Sequence, residues 1–269
     1  MTVTDVTDIG DASLDEFEEG LAVALLEAAD DEHIMGNRLC DWTGVAPTVE
    51  EDVSMGNIAQ DELGHAEALY EEVGDLVGSD LDHLAYQRAP AELRNVQLVE
   101  REFEDWADTV VRQYLYDVAD DIRMAALLDG DLPDRDESLA GYLEKVDEEE
   151  DFHAEHGEVW LGTLADEPDG KEKVQRAIDE NWVDALAFFE TAPETVDFVE
   201  AGVFARSLAD QRETFIEEVT ETLESTGYTV PDTDLSDLGA GRAGKHTTDH
   251  EALLAEAREV REQGVDVPA

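Results

Sequence analysis

Apolar residues recur along almost the whole chain at the spacing of a helix rather than that of a strand. From Ser13, read as an N-cap, Phe17, Leu21, Ala24, Leu25 and Ala28 fall on one face, and the pattern continues through Ile34 and Met35 to about Leu39. Gly44 and Pro47 break it. Thr48, three residues before Glu51, gives the capping-box signature of a second helix running to about Val73. A loop with Gly74 and Gly78 leads through Leu84 and Tyr86 to Pro90. Leu93 to Leu128 then reads as one helix, bent near Glu102 to Asp105 and closed by Gly130 and Pro133. Ser138 to about Leu164 is a fourth helix, Pro168-Asp169-Gly170 a turn, Lys171 to Phe189 a fifth helix, and Asp197 to Ser225 a shorter acidic one. A Gly/Asp/Pro-rich loop from Gly227 to Gly244 precedes a last helix at about Asp249 to Gln263. No run alternates with period two, and the most strand-like piece, Tyr228-Thr229-Val230, is too short to count. The pattern predicts an all-α fold: a flexible acidic tail over 1–13, then a single helical domain over 14–269 with its core bundle at about 14–164 and a C-terminal helical extension at about 171–263.

Charge changes this picture. The 269 residues include 71 Asp and Glu against 17 Lys and Arg, a net charge of -54, yet 42% of the chain is hydrophobic. Disorder would need fewer apolar residues, and a nucleic-acid mimic would gather its charge into a patch or tail. Here the carboxylates are spread between apolar positions. Molar salt, with a Debye length of about 3 Å at 1 M, would screen their repulsion, so the composition points to a halophilic, salt-rich cytoplasm. Nothing resembles a basic nucleic-acid footprint, and no stretch is long and apolar enough for a membrane span. The lone Cys40 permits no internal disulfide, fits a reducing compartment, and is expected as a small buried residue. With no secretory signal pattern at its start, the chain is expected to be soluble and cytoplasmic.

Two Glu-x-x-His motifs, Glu62/His65 and Glu150/His153, fall on predicted helices. At i and i+3 the two side chains share a face, so one helix can offer a carboxylate oxygen and an imidazole nitrogen to one metal. In so acidic a chain a single motif arises easily by chance, but a dinuclear four-helix site needs two of them plus one carboxylate from each of two further helices. Glu32, between Ala28/Ala29 and Met35/Gly36, supplies one; Asp117, beside Tyr114 and Leu115, supplies the other, with Asp120 and Asp121 as alternatives on the same helix. The order Glu32, Glu62/His65, Asp117, Glu150/His153 reads as two hairpins joined by a long crossover, the connectivity of a ferritin-like four-helix bundle. Mixed oxygen and nitrogen donors without thiolates suit iron or manganese and not structural zinc. Asp61 and Glu149 flank the ligands, as histidine partners or as solvated carboxylates. His156 is read as a surface or inter-subunit residue, His33 as structural, and Arg38 and Arg112 as buried ion-pair partners. Trp42, Trp106, Trp160 and Trp182 are read as core or interface anchors.

The stretches 29–42, 57–65, 107–117, 149–157 and 241–250 resemble the A and C subunits of the phenylacetyl-CoA epoxidase family, a likeness running from about Leu21 to Arg261. The surroundings of 44–47, 95–113 and the Gly-Lys-His-Thr tail are closer to the companion C subunit. Glu32, Glu62, His65, Asp117, Glu150 and His153 match the complete ligand set of the catalytic A subunit. The resemblance implies a ferritin-like fold with additional C-terminal helices, two iron ions, an aromatic acyl-CoA substrate epoxidised on its ring, a sister ferritin-like subunit, small accessory subunits and a separate reductase. It equally admits a non-catalytic companion subunit; a stand-alone ferritin-like oxidase or catalase is disfavoured by the long C-terminal extension. The tail residues His246 and His250 are expected in interface packing.

Overall fold

The stripes of apolar residues fold as the helices their spacing predicts, and the departures have identifiable causes. The computed structural model describes residues 13–192, 196–232, 238 and 241–264; the expected tail, but for Ser13, lies outside them. The α-helices are α1 (Glu16–Leu39), α2 (Val49–Val77), α3 (Trp106–Leu128), the single turn α4 (Leu132–Arg135), α5 (Glu137–Ala165), α6 (Pro168–Leu186), α7 (Leu208–Ser225) and α8 (Thr248–Gly264). Among the described residues there is no strand, and no helix is long and apolar enough to cross a membrane. The chain divides into two compact units. One is built from the chain up to Glu102 and the C-terminal segment that carries α8, the other from Phe103–Thr191 and Val196–Gly239.

In the first unit α1 and α2 form an antiparallel hairpin. Asp15, not Ser13, caps α1: its carboxylate accepts from Glu18 N at 2.9 Å, and Glu18 accepts from Asp15 N at 2.8 Å. Thr48 caps α2 as predicted, accepting from Glu51 N at 3.2 Å. The helix expected from Leu93 does not form; 3-10 turns at Pro90–Glu92 and Gln97–Val99 occupy that stretch instead. Its apolar residues are indeed buried, but Arg94 N and Val96 N donate to Asp30 and Asp31 of α1, at 2.7 and 2.8 Å, and are lost to any helix. Helix formation resumes where Asp105 caps α3, accepting from Ala107 N and Asp108 N. Helix α8 returns onto this connection, with Leu253 and Leu254 buried and Arg258 donating to the Arg88 carbonyl at 2.6 Å. Cys40, expected inside, is exposed just past the end of α1, where the chain turns through Cys40–Trp42. His33 is buried edge-on to Tyr70 and Tyr86, and burial lowers its pKa to about 4, so the ring is neutral.

In the second unit α3 packs antiparallel to α5 and also meets α6 and α7. Trp182 stacks on Phe215, and Trp106 meets Trp160 edge-on. Helix α6 starts at Pro168, earlier than expected, because proline at the first helical position costs no intrahelical bond. The helix expected from Asp197 begins only at Leu208, capped by Ser207. The segment before it gives its backbone elsewhere: Ala205 N donates to Ala126 O, Gly202 O accepts from Asp131 N, and Phe198, Val203 and Phe204 are buried.

Candidate metal centre

Each unit carries half of the predicted ligand set. On α1 three acidic residues follow one another, Asp30, Asp31 and Glu32, all fully buried. Successive helical residues are about 100° apart, so the three carboxylates leave the helix in different directions. Asp30 accepts from Tyr70 Oη at 2.6 Å, from Arg94 N at 2.7 Å and from Nη1 and Nη2 of Arg88. Asp31 accepts from Val96 N at 2.8 Å and from Arg242 Nη2 at 2.9 Å. Glu32 differs: neither of its buried oxygens accepts a hydrogen bond, and His65 Nδ1 stands 3.7 Å from Oε2. Glu62 and His65, one turn apart on α2, are buried in the same hairpin. Gly36 lies opposite them; a Cβ there would stand 2.8 Å from Leu63 Cγ and 3.0 Å from Glu62 Cβ, so a side chain would pry the hairpin open at the level of its ligands.

The second unit repeats the arrangement with α3 and α5. Asp117, Glu150 and His153 are buried and each brings a ligand atom to within 4.8 Å of the others; His153 Nδ1 is 3.5 Å from Glu150 Oε1. Gly157, one turn after His153, is the counterpart of Gly36, since a Cβ there would stand 2.9 Å from Tyr114 Cβ. The alternatives to Asp117 are engaged elsewhere. Asp120 is ion-paired with Arg123, whose guanidinium lies 4.6 Å from the Phe188 ring centre. Asp121 is half-buried and faces Asp147; burial first, then the negative charges of Asp147, Asp151, Glu218 and Glu150, push its pKa up to about 7. Glu149, part-exposed, pairs with Lys145 at 2.8 Å. Arg112 is buried over Phe103 with Asp108 at 3.7 Å, and Arg38 donates to the Glu100 carbonyl and to Asp41, which makes both of them ion-pair partners as expected.

A third grouping, Glu100, His246 and His250, lies within the first unit. His246 Nδ1 is 2.6 Å from Glu100 Oε1 and its Nε2 is 3.2 Å from the Leu93 carbonyl, so both ring nitrogens already face oxygen acceptors. His250 stacks on His246 with ring centres 4.0 Å apart and planes at 14°, and bonds Asn95 through Nε2. Two near-parallel rings project their in-plane lone pairs side by side instead of converging on one ion. The trio is a hydrogen-bonded clamp that ties the tail to 93–100 within the chain.

Sequence reasoning missed the partners of Asp30 and Asp31. Arg88 and Arg242 lie far along the chain from α1, and no local periodicity announces such pairs; three consecutive acids at the level of the buried Ala28, Ala29, Ile34 and Met35 were the available signal.

With this geometry in view, the likeness to other proteins acquires a structural meaning. The family model described as phenylacetic acid catabolic protein matches residues 5–266. Among curated proteins, the chain is 29% identical over 238 residues to the C subunit of 1,2-phenylacetyl-CoA epoxidase from Escherichia coli (strain K12), covering 88% of this chain and 94% of that one. It is 24% identical over 200 residues to the A subunit of the same organism's enzyme, covering 72% of this chain and 63% of that one. A family match over nearly the full length, on an all-α chain whose two hairpins each carry a buried carboxylate and a Glu-x-x-His pair, makes this chain a member of the phenylacetic acid catabolic protein family.

Proposed function

We propose that this chain is the metal-holding oxygenase component of a multi-subunit phenylacetyl-CoA epoxidase, with Glu32, Glu62 and His65 of the first unit and Asp117, Glu150 and His153 of the second as ligands to two iron ions. The observation that carries this reading is Glu32. An ionised carboxylate buried without a hydrogen bond costs several kcal/mol unless a cation offsets it. One and two residues earlier on the same helix, Asp31 and Asp30 each have an arginine and backbone N–H groups as partners, so the fold supplies partners where a buried acid is structural. Carboxylates and imidazoles are donors that suit iron or manganese, and the likeness to the epoxidase subunits favours iron over manganese.

Two iron ions held by these residues would supply dioxygen activation for ring epoxidation of an aromatic acyl-CoA. The chain's own contribution is positioning. Each Glu-x-x-His pair presents two donors from adjacent turns of a packed helix, Gly36 and Gly157 let each hairpin close, and the Arg242–Asp31 pair fastens α1 beside Glu32. Full burial of the six side chains keeps bulk water from their donor atoms. The same reading gives the chain a sister ferritin-like subunit, small accessory subunits and a separate reductase as partners, and a place in phenylacetate catabolism in a salt-rich cytoplasm.

A non-catalytic companion subunit is the second reading, favoured by the fuller match to the C subunit of the Escherichia coli enzyme than to its A subunit. Anaerobic reconstitution with ferrous iron separates the two: the oxygenase reading expects metal bound through the named residues, the companion reading none.

A further inference from the structure

Gln113 on α3 is fully buried, and neither its Oε1 nor its Nε2 makes a hydrogen bond to the protein. The other buried side-chain amides among the described residues are at least partly engaged. Asn181 donates to Asp108 Oδ1 and the Ala177 carbonyl, Asn95 bonds Glu100, the Val96 carbonyl and His250, and Gln211 donates to the Arg206 carbonyl. Leaving both ends of a buried amide unused costs a few kcal/mol, which marks the position as serving something other than packing. Its place on the helix says what. Gln113 is four residues before Asp117, on the same face, and helical side chains lean toward the N-terminus, so Asp117 projects over the turn that carries Gln113. Asp117 in turn groups with Glu150 and His153.

We propose that the Gln113 amide is a binding residue of the half-site formed by Asp117, Glu150 and His153, donating a hydrogen bond to a small exchangeable acceptor ligand, water or a small anion, held beside Asp117. The assignment rests on the metal-centre reading of that half-site. An amide suits the task because it donates and accepts without titrating, so it adds no further charge to a group already rich in carboxylates.

The test uses full-length protein in high salt, loaded anaerobically with ferrous iron, oxidised in air and titrated with azide as the probe anion. Absorption reports azide binding, metal analysis reports iron, and thermal denaturation reports folding. Gln113→Leu keeps the iron content, melts at or above the wild-type temperature because an unpaired buried amide has gone, and weakens azide binding about ten-fold, equivalent to about 1.4 kcal/mol. Azide affinity within two-fold of wild type at equal iron content overturns the proposal and leaves the metal centre standing. A lower melting temperature with lost iron also overturns it, by making the amide a structural element. A wild-type protein that takes up no iron removes the underlying reading, and this proposal with it.

Discussion

The two hairpins carry the same ligand pattern but differ in how the other buried acids around it are stabilised. Around Glu32 in the first unit, the neighbouring acids are neutralised by arginines brought from distant sequence, Arg88 to Asp30 and Arg242 to Asp31, and the C-terminal segment is clamped over them through His246 and His250. In the second unit Asp120 has Arg123 beside it, but Asp121 faces Asp147 with Asp151 and Glu218 nearby, and burial first, then these charges, push its pKa up to about 7, which favours a proton there. A buried carboxylate that belongs to the scaffold can be stabilised by a cation or by protonation. The first route gives rigidity and the second leaves stability dependent on pH and salt.

Salt gives the largest expected effect. With a net charge of -54, transfer from molar salt to dilute buffer should abolish the helical circular dichroism. Hydrogen exchange at intermediate salt should show α5 and α7 losing protection before α1 and α2, because Asp121, Asp147, Asp151 and Glu218 repel one another where those helices meet α3. Unchanged protection throughout would break the comparison and the halophilic reading together.

Next in size is Arg88→Leu, which strands Asp30 in the core and should cost about 3–5 kcal/mol in denaturant unfolding. Adding Asp30→Asn to it should recover much of that loss. If the single variant is as stable as wild type, the arginine is not what holds α1.

Gly36→Ala and Gly157→Ala should each cost about 1–3 kcal/mol by overpacking and lower metal retention, since both glycines sit within a turn of a ligand. A loss in only one hairpin would show that the two half-sites do not depend on close packing in the same way.

The smallest effect concerns Asp121. Below about pH 4 both the folded and unfolded chains hold its proton. Between the ordinary aspartate value of 3.8 and the folded value of about 7, only the folded protein holds it, so its contribution to stability declines as pH rises through that window. Relative to wild type, Asp121→Asn should therefore gain about 1 kcal/mol between pH 4 and pH 8, the exposure of the site discounting any larger figure. Parallel stability curves for the two proteins would show that Asp121 ionises normally.

Much of this molecule was legible in the sequence because helices announce themselves locally. Thr48 before Glu51, the stripe from Phe17 to Leu39, and the i, i+3 spacing of Glu62/His65 and Glu150/His153 are short-range signals, and the helices formed where those signals lie. The failures share a cause, which is backbone or side chains committed to distant partners. Leu93 to Val99 looks helical by its apolar residues, yet its amides serve Asp30 and Asp31. The segment after Asp197 is held out of a helix by the bond from Ala205 N to Ala126 O. Tyr114 and Leu115 favour Asp117 over Asp120 and Asp121 in the sequence, whereas the pairing of Asp120 with Arg123 and the facing of Asp121 by Asp147 appear only in the structure. Gln113 gave no sign in the sequence that its amide would be left without a bond.

The central claim is that Glu32 accepts no hydrogen bond from the protein because a metal ion is its partner. Iron content of the purified chain after anaerobic loading with ferrous iron and desalting into high salt tests it most directly, with the His65→Ala/His153→Ala double variant as the reference. The account predicts close to two iron ions per wild-type chain, the complement of a dinuclear carboxylate site, and a large loss in the variant. Equal iron in the two proteins would contradict it and leave the companion-subunit reading in its place.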